Sequence, residues 1–251
     1  MLSNHYQAQR DGLIAMVRSS GATGEEPVPA CPGWTVADVI RHLLGLTDNW
    51  LTADLEIYAS PEWTSRQVEA WSSAPLDELF AEWTERGDRF AAMLDDLAAV
   101  ETLPEVVTTV IGPVPTKTFG GGILGDLTQH CYDVASALEA EMPDPLATIP
   151  MQTRRLTGRV HLQWKPAGHE PVRIVSEEEG ELGVIGGKEA DVTLTAPTID
   201  LFRSMGGRRT AEQIQALDWN PTPPPVAALS DFVIRFFTLP TEQVESANVQ
   251  Q

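Results

Sequence analysis

The chain has 251 residues, 42% of them hydrophobic, enough for one large packed domain or two modest ones. Its formal net charge is −19, with 36 Asp and Glu against 17 Lys and Arg. That balance argues against nucleic acid and against anionic membranes, which need clustered basic residues. No apolar run approaches the length of about 18 residues that a transmembrane helix needs, so no membrane span is expected. Residues 1–18 lack the basic start and apolar core of a signal peptide. The two cysteines, Cys31 and Cys131, make no disulfide framework, and a cytoplasmic protein with reduced thiols is expected.

Residues 2–19 carry Leu13, Ile14, Met16 and Val17 at helical spacing, and 21–33 is a Gly/Pro-rich loop. A strong helix is expected from 34 to about 55. Thr35 can cap it, with Asp38 three residues on in a capping-box-like pattern. Its apolar face is Val36, Val39, Ile40, Leu43, Leu46 and Trp50. Residues 56–73 show no clear period. A third helix is predicted over 75–100 from Leu76, Leu79, Phe80, Trp83, Phe90, Met93, Leu94 and Leu97. Residues 104–122 read as an extended loop, whose Gly120-Gly121-Gly122 run precedes a fourth helix over 123–141. Four amphipathic helices predict a four-helix bundle.

The texture then changes. Pro143-Asp144-Pro145 and Pro150 read as a linker, dividing the chain into domains 1–148 and 149–251. Residues 159–165 alternate, with Val160, Leu162 and Trp164 on one side and His161 and Gln163 on the other, which predicts a half-buried strand. Strands are also expected at 172–176, 181–185 and 191–196, the first two joined through Glu177-Glu178-Glu179-Gly180, a solvated turn. Pro197 suits the first turn of a helix that ends at Gly206-Gly207. Residues 221–225 form a stiff connector before a last helix over 226–237, and the polar tail after 241 is expected to fray. The fold class is α+β, with a helical bundle followed by a smaller α/β domain.

Asp126 and His130 stand four residues apart and project from one helix face, at the edge of the apolar stripe Ile123, Leu127, Cys131, Val134 and Leu138. His42 lies at the edge of the apolar face of its own helix. One carboxylate and two imidazoles are a plausible three-ligand set for a divalent metal, leaving a coordination position open. A solvated i,i+4 hydrogen bond and a satisfied histidine beside the core are the plainer alternatives. His5, near a terminus, His161 and His169 are less suited. Trp34 either stacks on a ligand or, more simply, anchors its loop to the core. Cys31 has no assigned activating group beyond the adjacent helix start, and Cys131 belongs to the core. Asp133 is suited to orient Arg41 or a ligand histidine, or to form a surface salt bridge.

The segment Val28-Pro29-Ala30-Cys31-Pro32-Gly33-Trp34-Thr35-Val36-Ala37-Asp38-Val39-Ile40-Arg41-His42-Leu43 resembles the opening signature of the mycothiol-dependent maleylpyruvate isomerase family, within the DinB-like metal-binding superfamily. Gly125-Asp126-Leu127-Thr128-Gln129-His130-Cys131-Tyr132-Asp133-Val134-Ala135 resembles its second signature. Residues 190–197 and 201–208 are similar to its C-terminal domain. The resemblance implies a DinB-like bundle holding zinc, nickel or another divalent metal through His42, Asp126 and His130, with a smaller, sterol-carrier-like domain. It also implies mycothiol as the thiol, activated by the metal to isomerise or S-conjugate a small electrophile. Where Asp126 stands, the isomerase that gives the family its name has Glu, one methylene longer. An arginine of the C-terminal domain serves that active site; Arg208 is the nearest match here, with Arg203 and Arg209 as rivals. The expected partners are a small-molecule substrate and a thiol, in a monomer or homodimer. A non-catalytic metal- or ligand-binding DinB-like protein is the alternative.

Overall fold

A computed structural model describes residues 1–141 and 146–245, which divide between two compact units. The linker expected at Pro143-Asp144-Pro145 and the tail beyond 245 lie outside the described residues.

The first unit opens with α1 (Leu2–Ser20), closed by Gly21 at a left-handed φ of 71°. The loop that follows leads into α2 (Val36–Thr52). The Thr35 side chain accepts from the Asp38 backbone N–H while the Asp38 carboxylate accepts from the Thr35 N–H, so the predicted capping box is formed. Then come α3 (Pro61–Ala70), α4 (Leu76–Leu94) and an antiparallel hairpin of β1 (Val106–Thr109) and β2 (Gly112–Pro115), followed by α5 (Gly120–Ala137). Helices α1, α4, α2 and α5 contact one another in a closed ring, and α3 packs on α2. Trp50, Trp83, Phe90, Leu13, Ile40 and Leu44 are fully buried and form the middle of the bundle.

Close helix contact is set by two glycines. A Cβ on Gly45 would stand 2.9 Å from the Cα of Gln67, so α2 admits the α3 backbone only because Gly45 has no side chain. A Cβ on Gly120 would stand 2.9 Å from Leu2 and 3.1 Å from the Leu94 carbonyl. Gly120 is therefore packed inside the first turn of α5, and the helix starts three residues before the expected 123 and stops at Ala137 rather than 141. The third helix likewise ends early, at Leu94, with a separate 3₁₀ turn at Leu97–Ala99. The expected loop 104–122 contains the β1–β2 hairpin, held by Val107, which is buried in the core.

In the second unit α6 (Ile149–Trp164) precedes β3 (Val172–Ser176), β4 (Gly180–Ile185) and β5 (Val192–Ala196). Then follow α7 (Thr198–Met205), α8 (Ala211–Gln215) and β6 (Asp218–Asn220). The sheet order is β4-β3-β5-β6, with β3 and β5 parallel and the other pairs antiparallel. The strands expected at 172–176, 181–185 and 191–196 are present within a residue at their ends. The strand expected at 159–165 is instead the last two turns of α6. Leu156, Val160 and Trp164 recur every four residues and are buried, whereas Leu162, placed on the same side by a strand reading, is 66% exposed. Val160 and Trp164 fit both periods, and Leu156 one turn earlier decides between them. The helix expected over 226–237 shrinks to a 3₁₀ segment, Val226–Asp231. Gln163 Nε2 takes the carbonyls of Asp231 (2.8 Å) and Val233 (2.5 Å), and the Ile234 N–H donates to the Met205 carbonyl (3.0 Å), so these backbone groups are committed to α6 and α7. Among the described residues no helix is long and apolar enough to cross a membrane.

The helical reading of 149–164 is tested by paired substitutions. Leu162→Lys is expected to change stability by no more than about 0.5 kcal/mol, and Val160→Asp to cost about 3 kcal/mol or more. Denaturant titration measures both; equal effects would contradict the helix.

Candidate metal centre

The loop before α2 is shaped by a Pro-Gly turn. The Trp34 N–H donates to the Cys31 carbonyl at 2.9 Å, with Pro32 at the second position and Gly33 at the third with φ of 84°. This is the residue pattern of a type II turn, in which a left-handed third position favours glycine. The turn carries Cys31 and Trp34 to the two histidines. The Trp34 ring lies 5.3 Å from that of His42 and 6.3 Å from that of His130, nearly parallel to the latter.

His42, on α2, meets Asp126 and His130, which share one face of α5 as their spacing predicts. His42 Nε2 is 3.2 Å from Asp126 Oδ2, and His130 Nε2 is 3.8 Å from Asp126 Oδ1. One donor atom from each of the three residues lies within 4.8 Å of the others. Both imidazoles are buried, and the Asp126 side chain keeps 26% of its exposure, so the cluster opens on the carboxylate side.

The partners of the outer nitrogens favour one tautomer of each ring. Gln67 Nε2 donates to Asn49 Oδ1 at 2.7 Å, which leaves Gln67 Oε1 to accept from His42 Nδ1–H at 2.8 Å. Asp133, fully buried, accepts from His130 Nδ1–H at 3.1 Å. Each neutral ring then presents a bare Nε2. Two imidazole lone pairs and a carboxylate converge, all acceptors, an arrangement that requires a cation or a proton between them. The observed separations bracket the edge of about 3.3 Å expected between N and O ligands around an ion with bonds of about 2.0 Å. The residues fit a divalent metal with an open position.

Asp133 meets His130, one of the two partners weighed for it, while Arg41 pairs with Asp38 at 2.8 Å and donates to the Trp71 carbonyl at 3.2 Å. Burial alone would raise the Asp38 carboxyl, but hydrogen bonds from Thr35 and Arg41 outweigh it and hold the carboxyl below its ordinary range. Burial, reinforced by Asp133, pushes the Cys131 thiol far up, so it stays protonated in the core as expected. Cys31 stands beside the site, with Sγ 3.7 Å from His130 Nδ1 and 3.5 Å from Asp133 Oδ2. Neither Gln67 nor the place of Cys31 follows from the sequence reading. Ser60-Pro61, an N-cap followed by proline, is the signal that locates α3 and hence Gln67.

The three arginines belong to the second unit. Arg208 is buried, donates through Nη1 to the Gly206 carbonyl at 2.7 Å and lies 4.4 Å from the Phe237 ring centroid. Arg203 and Arg209 both meet the Glu245 carboxylate, and Arg209 also binds Asp200 at 2.9 Å. His161 Nδ1 faces the Val184 carbonyl at 3.2 Å, and His169 meets Asp231 at 2.8 Å, so neither joins the cluster.

Fold and site together define an α+β protein whose DinB-like helical bundle presents a two-histidine, one-carboxylate cluster. The model of the mycothiol maleylpyruvate isomerase N-terminal domain matches residues 6–135, just over half of the chain, and the chain belongs to that family. A crystal structure of a mycothiol-dependent maleylpyruvate isomerase is similar over 89% of this chain and 92% of its own, with a TM-score of 0.59 at 17% identity. A histidine-to-alanine mutant of such an isomerase is similar over 90% and 95%, with a TM-score of 0.55 at 16% identity. At these identities the likeness is one of fold. No curated protein matches the chain.

Two substitutions test how α2 is held. Gly45→Ala is expected to lower stability by about 1–3 kcal/mol despite a helix-propensity gain of about 1 kcal/mol; an unchanged denaturation midpoint would contradict the close α2–α3 contact. The stability that Asp38 contributes should be complete above its ordinary pKa of 3.8 and fade as pH falls below it, because its folded value is the lower one. The difference in melting temperature between wild type and Asp38→Asn should therefore shrink in acid, and a constant difference would contradict it.

Proposed function

We propose that this protein is a divalent-metal-dependent enzyme that uses mycothiol, or a closely related low-molecular-weight thiol, to isomerise a small electrophile or to conjugate with it in the cytoplasm. The observation that carries the reading is the convergence of His42 Nε2, His130 Nε2 and the Asp126 carboxylate, with one donor atom from each within 4.8 Å of the others. Zinc suits two imidazoles and one carboxylate, and nickel shares that preference. When bound, the metal supplies Lewis acidity that favours the thiolate form of a coordinated thiol near neutral pH.

The chain's own residues do the rest. Gln67 and Asp133 hold the two imidazoles with Nε2 turned inward. Trp34 walls the cluster on the loop side, and the exposed edge of Asp126 leaves an approach. On resemblance alone, Arg208 is the candidate for a carboxylate of the substrate, the group that a guanidinium binds. Thiolate sulfur adds to an electrophilic alkene carbon and turns the double bond into a single one. Rotation and loss of the sulfur yield the trans isomer and restore the thiol, as in conversion of maleylpyruvate to fumarylpyruvate. Retention of the sulfur, with protonation of the neighbouring carbon, yields the S-conjugate. Family membership supports thiol chemistry, while Asp126 in place of Glu shortens the carboxylate arm and bears on which electrophile fits.

Elemental analysis of protein purified without added metal tests the reading. Near-stoichiometric divalent metal is expected, lost in His42→Ala and held about 10–100-fold more weakly in Gln67→Ala. Metal-loaded protein should melt higher with mycothiol present and should turn over maleylpyruvate or a related alkene. Failure to bind metal even after zinc addition would overturn the proposal. Metal without any thiol-dependent melting shift would make the protein a non-catalytic binding module.

A further inference from the structure

His130 uses both of its nitrogens, and the side facing away from Asp126 is itself a donor cluster. Cys31 Sγ, His130 Nδ1 and Asp133 Oδ2 are separated by 3.7 Å (S to N), 3.5 Å (S to O) and 3.1 Å (N to O). A tetrahedral zinc ion, with bonds of about 2.3 Å to sulfur and about 2.0 Å to nitrogen and oxygen, requires edges of about 3.5, 3.5 and 3.3 Å. All three separations lie within about 0.2 Å of these values. Cys31 is partly exposed while His130 and Asp133 are buried, so an ion can enter from the loop side and find two fixed ligands behind the thiol.

We propose that Cys31, His130 Nδ1 and Asp133 form a second metal position for a thiophilic divalent ion of zinc's size, which cadmium can report through its bond to sulfur. The first set contains only nitrogen and oxygen and favours borderline ions; the second adds a thiolate and favours soft ones. Two protons now bridge this second set, the thiol S–H and the Nδ1–H, both directed at Asp133. On binding, the thiol proton leaves to solvent as the sulfur–metal bond forms. The imidazole proton moves to Nε2, where Asp126 accepts it. A neutral imidazole has one bare nitrogen, so His130 serves one set at a time. The proposal concerns metal binding and does not depend on thiol-using catalysis.

Cadmium titration followed by the ultraviolet sulfur-to-cadmium charge-transfer band tests it. The band should rise to a plateau at about one ion per chain in the wild type. Cys131→Ala should keep it, because that thiol is buried and protonated. His42→Gln, which alters only the first set, should also keep it, and Cys31→Ser should abolish it. Cadmium-113 NMR of the wild type, expected to show one thiolate in the coordination shell, provides a check that needs no variant. No band in the wild type, or a band that survives in Cys31→Ser, would overturn the proposal. Loss of the band in His42→Gln would make Cys31 a ligand of the first set, and two cadmium ions per chain alongside the band would rule out a shared imidazole.

Discussion

Three acceptors pointed at one another form an electrostatic conflict unless something positive lies among them, and the functional half of this molecule is organised around that conflict. His42 Nε2 stands 3.2 Å from one oxygen of Asp126, and His130 Nε2 stands 3.8 Å from the other. Both rings are turned that way by hydrogen bonds on their far sides, from His42 to Gln67 and from His130 to Asp133. Without those partners either ring could rotate or change tautomer and donate to Asp126, and the conflict would vanish. The outer partners therefore define the cluster as much as the three inner residues do.

The bundle supplies the positions. Helices α2 and α5 are neighbours in the ring, so residues on their facing edges are brought together. The Asn49–Gln67–His42 chain of hydrogen bonds runs between α2 and α3, which approach closely because position 45 is glycine. The Pro32-Gly33 turn brings Cys31 and Trp34 over the same spot from the loop that precedes α2. Four separate stretches of chain thus converge on the cluster. Stability, by contrast, rests on the aromatic and aliphatic core of the bundle, in which the cluster takes little part.

Much of this was legible in the sequence, for physical reasons that differ residue by residue. Asp126 and His130 share a face because of helical period alone, and the capping box at Thr35 and Asp38 fixed the start of α2 and so the face that His42 occupies. The juxtaposition of those two helices rested on resemblance, since no local pattern carries it. Gln67 was illegible because α3 buries only Trp63 and Gln67, too few residues to show an apolar period. The place of Cys31 depends on a loop closing over a helix nearly a hundred residues away. The strand misread at 159–165 shows the converse: alternation over three residues satisfied a local rule while Leu156, one turn earlier, already marked a helix.

The central claim, that a divalent ion belongs among His42, Asp126 and His130, is tested most directly by anomalous diffraction at the zinc edge from crystals of the zinc-loaded protein. The account predicts one strong peak bonded to both Nε2 atoms and to the Asp126 carboxylate, with Gln67 and Asp133 hydrogen-bonded to the opposite ring nitrogens. A cluster without a peak, its histidines hydrogen-bonded directly to Asp126, would contradict it.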